Sequence, residues 1–245
     1  MKRWILWIII TLVLLVVYAP ARALYWVQLP AGISLNQVSG SLWNGSAGQL
    51  KVNQQWFYDV SWSLSPTQLL AGRVALQLNV PATENDIAGQ GELTYSTAGL
   101  KLNELEVAGQ LAPLLALTDV AMPIETRGNW QLTLKEYQLQ LPLEQRWCEQ
   151  LTGSAEGQNI EVLVNNQWLS LGEFPLQLGC SEQGAIKLAM AGNNSLGLNF
   201  NGTIDSNDVS ISGTVRPNPR TPEGLAEMFT YLGQADSQGR YRFSI

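Results

Sequence analysis

The chain contains no histidine. That absence removes Ser-His-Asp and Cys-His catalysis together with the commonest metal ligand. Cysteine is nearly absent as well, since Cys148 and Cys180 are the only two. Two cysteines without histidine do not build an ordinary structural zinc site, and no CxxC pair offers a redox centre. Neither a metal nor a cofactor is expected. Charge is also scarce. Only 14% of residues are charged and 46% are hydrophobic, against about a quarter charged in typical domains, so much of the surface is expected to be paired or covered. The charge that exists is unevenly spread. No acid precedes Asp59, whereas Lys2, Arg3, Arg22 and Lys51 do, and the net charge is −6. An acidic body with no basic run leaves no electrostatic footprint for nucleic acid.

One long apolar run is present. Trp4 to Tyr18 is apolar except for Thr11, with Lys2 and Arg3 before it and Pro20 and Arg22 after it. With Ala19 to Ala23 it approaches the ~20 residues that a helix needs to span a bilayer. Trp4, Trp7 and Tyr18 lie near its two ends, where interfacial aromatics belong. The expected organisation is an N-terminal transmembrane anchor over residues 1–23 and one exported domain over 24–245. Ala21-Arg22-Ala23 also fits the small-x-small site of a cleaved signal. In both readings the basic end stays in the cytoplasm and the rest lies outside it.

Beyond that run, period-2 alternation dominates. Trp56, Tyr58, Val60, Trp62 and Leu64 form one set, and Val74, Leu76, Leu78 and Val80 another. The pattern recurs at Leu100/Leu102, Trp130/Leu132/Leu134, Leu139/Leu141/Leu143, Ile160/Val162/Val164 and Leu176/Leu178/Cys180. It continues at Ile186/Leu188/Met190, Leu196/Leu198/Phe200, Val209/Ile211 and Tyr241/Phe243/Ile245. Each set turns one face to a core. Asn44-Gly45, Gly89-Gln90-Gly91, Gly192-Asn193-Asn194 and Asp205 to Asp208 punctuate the runs as hairpin turns do. The expected fold is all-β, an antiparallel β-sandwich or curved sheet of many short strands, with the N-terminal transmembrane helix and one or two short helices.

Helix signals are few. Pro222 to Leu232 has Thr221 as a cap, Pro222 at the first position and Gly233 as a stop. Its Leu225, Met228, Phe229 and Leu232 form one stripe. Shorter helical pieces are expected near Pro66, with Leu69 and Leu70, and near Pro113, with Leu114, Leu115 and Leu117. A weak internal repeat links the three sites: a strand, a proline, a short leucine-bearing segment, then a strand. Coincidence among proline-terminated strands explains it equally well.

Both cysteines lie beyond the apolar run, in a compartment where a pair usually bonds. A Cys148–Cys180 bridge closes a loop of about 33 residues and contributes roughly 3–4 kcal/mol by chain entropy. Tryptophan is abundant, with nine residues, of which Trp43, Trp56, Trp62, Trp130, Trp147 and Trp168 are expected on sheet faces and in the core rather than on a ligand surface. Glu92, Glu104 and Glu106 invite comparison with paired catalytic carboxylates, but nothing fixes their distance and exposed strand faces carry such acids routinely. Gly40 to Ser46 is glycine-rich without the lysine and spacing of a phosphate loop.

The ordered segments resemble the type II secretion system protein N family, also called general secretion pathway protein N. The resemblance rests on the N-terminal span, then Val38-Ser39-Gly40-Ser41-Leu42-Trp43-Asn44-Gly45-Ser46-Ala47, then Trp62-Ser63-Leu64-Ser65-Pro66. The spaced Cys148 and Cys180 follow, and last Gly213-Thr214-Val215-Arg216-Pro217 with a short helix and a terminal strand. It covers essentially the whole chain. It implies a non-catalytic accessory subunit of the inner-membrane platform that exports folded proteins across the outer membrane. The implied partners are other inner-membrane components of the system, with the periplasmic part of the secretin as a further candidate. It carries over no catalytic residues. The motif residues it singles out are Gly40, Trp43, Gly45, Trp62 and Pro66, in a structural role.

Two other readings compete. A curved sheet with an aliphatic face forms a groove for acyl chains, which requires an open apolar cavity above ~300 Å³. An enzyme working through carboxylates requires two of them converging in a pocket.

Overall fold

The computed structural model describes residues 4, 7, 11, 14–26, 29–116, 125–141, 146–205 and 208–244. The chain divides into two compact units, Met1–Thr94 and Tyr95–Ile245. It is all-β. Thirteen strands are hydrogen-bonded in the order in which they occur in the sequence. The registered pairs are antiparallel, and among the described residues no strand changes sheet, so the sandwich alternative gives way to a simple meander.

The first unit holds β1 (Ile33–Gly40), β2 (Asn44–Val52), β3 (Gln55–Leu64), β4 (Val74–Val80) and most of β5 (Ile87–Ser96). Asn44 and Gly45 open β2 and are not the turn itself. Gly40 pairs with Gly45, and Ser41, Leu42 and Trp43 make the connection. Gly89-Gln90-Gly91 likewise lies inside β5. The small core of this unit is Ala21, Val38 and Ala47, with Leu35 and Trp62 packed against it. Leu35 and Val38 share that core although strict alternation would put residues three apart on opposite faces. The reason is Gln37, whose φ of 54° is left-handed, level with Gly48 of β2 and with Asp59 of β3 at φ 53°. The expected single face from Trp56 to Leu64 therefore breaks at Asp59. Phe57 pairs with Leu50, which pairs with Leu35, on the face of Val60 and Trp62, while Trp56 stays 38% exposed.

The second unit runs from the end of β5 through β6 (Gly99–Gln110), β7 (Thr126–Gln140), β8 (Gln150–Val164) and β9 (Gln167–Cys180) to β10 (Ile186–Met190), β11 (Asn199–Ile204), β12 (Val209–Val215) and β13 (Tyr241–Ser244). Its middle strands are not short. The separate Trp130–Leu134 and Leu139 runs are one strand, β7, of 15 residues. These long strands also change face. Leu171 is buried and Phe174 packs on the same cluster, with Gly172 between them at φ 76°. Asn159, at φ 50°, does the same in β8, where the pairing with β9 shifts register. The core cluster is Ile160, Val162, Leu171 and Leu225.

Three short helices occur where the proline repeat places them: α1 (Pro66–Leu70), α2 (Leu111–Ala116) and α3 (Glu223–Ala226). They link β3 to β4, β6 to β7 and β12 to β13, all antiparallel neighbours. The expected helix from 222 to 232 is α3 followed by a 3-10 turn, Glu227–Leu232, ending at Gly233 with φ 115°. Thr221 does not cap it. Its hydroxyl donates to the Ser195 carbonyl and accepts from the Asn218 N–H.

Residues 14–17 are helical. Among the described residues no helix is long and apolar enough to cross a membrane. Ten of the 23 residues of the expected anchor lie outside the described residues, as do Leu117, Leu143 and Ile245.

Candidate functional site

The motif residues come together at one end of the first unit. Gly40 has φ +83°, and a Cβ there would meet the Asn44 carbonyl at 2.6 Å. Gly45 lies under the Trp62 indole, where a Cβ would stand 2.4 Å from Cζ2 and 2.8 Å from the Ser41 carbonyl. The ring donates its Nε1–H to the Leu42 carbonyl at 3.1 Å. Trp43 reaches the other way, from Nε1 to the Val16 carbonyl at 2.9 Å. Its own carbonyl accepts the Leu64 N–H at 2.6 Å. Pro66, on the surface, opens α1 two residues later.

What this hairpin tip holds is the chain that enters the domain. Leu42 donates its N–H to the Ala19 carbonyl at 2.8 Å, and Pro20 bridges to Ser41. Ala21 opens a 3-10 helix, Ala21–Trp26, and is fully buried against Val38 and Ala47. The Tyr25 hydroxyl accepts the Val38 N–H at 3.0 Å. Sequence reasoning found the motif but not its guest, because the recipients at Val16, Ala19 and Leu42 are backbone carbonyls that carry no side-chain signature.

The cysteines are bonded, with Cα atoms 5.4 Å apart. Cys148 precedes β8 and Cys180 ends β9, so the bridge closes the open end of that hairpin. Cys148 is buried. The Tyr137 hydroxyl donates to the Trp147 carbonyl beside it at 2.6 Å, and burial pushes that phenol up from its usual pKa.

A cavity of about 450 Å³ opens in the second unit. Leu171 and Pro175 line it together with Asn159, Ser170, Glu173, Asn193, Asn194, Ser195 and Arg220, in a mixed polar and apolar wall. This is not the Leu, Val and Trp lining that an acyl groove needs, and Glu173 is its one carboxylate. Glu104 and Glu106 lie on β6 and Glu92 on β5, none of them in this wall. Three of its polar side chains, Asn194, Ser195 and Arg220, bond to the chain itself. Asn194 donates to the carbonyls of Ala191 and Leu198 and accepts the Leu198 N–H. Ser195 donates to the Leu171 carbonyl at 2.6 Å, and Arg220 donates to the Asn193 carbonyl at 2.6 Å. These bonds strap the loop before β11 to β9 and to the segment before α3.

Comparison with known proteins identifies the family. The chain is 25% identical over 237 residues to the type II secretion system protein N of Vibrio cholerae serotype O1, covering 94% of this chain and 90% of that protein. It is 24% identical to the protein of the same name from Aeromonas hydrophila, over 86% of this chain and 83% of that one. For the Pectobacterium carotovorum protein of that name the figures are 25%, 91% and 86%. No solved structure matches. The model of the type II secretion system (T2SS), protein N, family matches residues 31–244, nearly the whole of the chain, which therefore belongs to that family.

Proposed function

We propose that this protein is an inner-membrane-anchored, periplasmic and non-catalytic subunit of the type II secretion system, acting through its β-domain as an interaction module in the export of folded proteins. Family membership over residues 31–244 carries the reading. It makes the chain a type II secretion component of the bacterial envelope. The missing histidine, and the internal bonds that occupy Ser195 and Arg220 of the cavity, support a role without chemistry.

Retention of the N-terminal segment is supported by the hairpin tip. Cleavage after Ala23 would remove the carbonyls of Val16 and Ala19, which accept from Trp43 and Leu42, and the fully buried Ala21. Gly40, Trp43, Gly45, Trp62 and Pro66 then serve as a clamp that fixes the anchor's exit to the sheet. Partners on this reading are the other inner-membrane components, with the periplasmic part of the secretin as a further candidate.

In-cell crosslinking from the exported domain tests the assembly role. Recovery of secretion components is expected, and recovery of none under inducing conditions refutes it. A periplasm-active reporter fused after Ile245 should be active, and a mature protein starting at Leu24 would show that the segment is a cleaved signal.

A further inference from the structure

We infer that α1 and the hairpin tip beside it form a membrane-surface contact that seats the first unit on anionic phospholipid. The inference rests on the anchored reading above and goes beyond it by naming a second point of contact.

The first observation is exposure. No residue of α1 is buried. Leu70 is 92% exposed, Leu69 37%, and Val74, just after the helix, 40%. A five-residue helix with Leu70 outward and Leu69 part-exposed is not held by burial of its own apolar side chains, and its apolar surface is open to a partner.

The second observation is place. The Trp43 carbonyl accepts the Leu64 N–H, and the Trp43 indole donates to the Val16 carbonyl at the end of helical residues 14–17. Ser65 donates its N–H to the Ala75 carbonyl, so both ends of the β3–α1–β4 connection lie at this same end. The surface leucines of α1 therefore stand beside the exit of the N-terminal segment, where Tyr18 is 75% exposed. From there the chain runs down the sheet and returns through β1. The Asn53-Gln54 turn between β2 and β3 lies at the opposite end, about 30 Å away along a ten-residue strand.

The third observation is charge. Residues 14–26, 38–47 and 61–76 at this end contain Arg22 and Arg73 and no acid, and β5, running back along β4, brings one acid, Glu92, to it. Both arginines are exposed. In a chain with 20 acidic residues, an end beside the anchor's exit with two exposed arginines against one acid, and with outward leucines, fits an anionic bilayer, which takes apolar side chains into its interface and draws arginine to its headgroups.

The test uses the full chain in vesicles of phosphatidylcholine and phosphatidylglycerol. The two native cysteines are bonded to each other, so a single introduced cysteine takes an environment-sensitive fluorophore. L70C should show a blue-shifted emission and loss of intensity with doxyl-labelled lipid, while Q54C should remain water-like. Replacing Arg22 and Arg73 with glutamine, or omitting phosphatidylglycerol, should weaken the response at position 70. Carbonate extraction followed by flotation reads the anchor separately. Protein that floats while L70C behaves as Q54C does overturns the surface contact and leaves the anchor standing. Protein that fails to float overturns both. A probe at 70 that is shielded only when other secretion components are added assigns α1 to a protein and overturns the bilayer contact.

Discussion

Replacing Gly45 with alanine tests whether the hairpin tip is a packed clamp. The new Cβ would stand 2.4 Å from Cζ2 and 2.7 Å from Cε2 of Trp62, and 2.8 Å from the Ser41 carbonyl. None of these is the free end of a flexible chain. The indole must move, and it then loses its bond to the Leu42 carbonyl. Overpacking of this kind costs roughly 1–3 kcal/mol and the hydrogen bond about 1 kcal/mol, so about 2–4 kcal/mol in total is expected. Urea unfolding of the full chain in detergent, followed by circular dichroism, reads it. A double-mutant cycle with Trp62→Leu localises it. With the large ring gone, Gly45→Ala should cost less, leaving the contact with Ser41, and a coupling above about 0.5 kcal/mol is expected. A loss in the single variant below about 0.5 kcal/mol, or an equal loss in both backgrounds, would refute the packing described.

Replacing Cys148 and Cys180 with alanine should destabilise the chain by roughly 3–4 kcal/mol, seen as a lower urea midpoint. Leu225→Ala should cost about 2–4 kcal/mol, because Leu225 is buried with Ile160, Val162 and Leu171; an unchanged midpoint would show that α3 is not docked on β8 and β9. The Asp236 carboxylate accepts the backbone N–H groups of Arg240 and Gln238 and the Arg240 guanidinium, and these hold its pKa below the ordinary 3.8. Its contribution to stability is thus complete above that value and is lost as pH falls through the lowered one. Asp236→Asn should flatten the fall in urea midpoint on the acid side of about 3.8 and leave the shape of the curve near neutrality unchanged.

The strands were legible because alternation is a local signal, and the disulfide because two cysteines admit one pairing. The breaks in alternation were legible only in part. Gly172 and Asn159 belong to types that enter the left-handed region readily, and a glycine inside a strand pattern marks such a place. Gln37, Asp59 and Glu104 do so with φ values of 54°, 53° and 48°, and glutamine and glutamate give no such warning. That is why Phe57 reads as a polar-face neighbour in sequence and yet shares a face with Val60. Asn193-Asn194 reads as a turn, and it lies in the β10–β11 connection just before the turn at Ser195-Leu196. That Asn194 is also the buried tie of its loop depends on Ala191 and Leu198 backbone groups that no pattern announces.

The position of the disulfide follows from these breaks. A one-residue slip in a regular hairpin sends every apolar side chain to the wrong face, so burial normally sets the register. In β8 and β9 that control is weakened. Each strand changes face once, at Asn159 and at Gly172, and their pairing shifts register between Gly157 and Ile160 and again at Glu161. A slip confined to the stretch between those points and the open end would misplace few core side chains. Ile160, Val162 and Leu171 fix the hairpin near its turn, where the main cluster lies. Among the described residues neither strand has a buried hydrophobic at the open end, where Gly153, Ala155 and Gly157 pair with the part-exposed Leu178, Leu176 and Phe174. The Cys148–Cys180 bridge acts there, tying the residues just outside that stretch of the ladder at a Cα separation of 5.4 Å. The turn and its core set the register at one end, and the covalent bond sets it at the other.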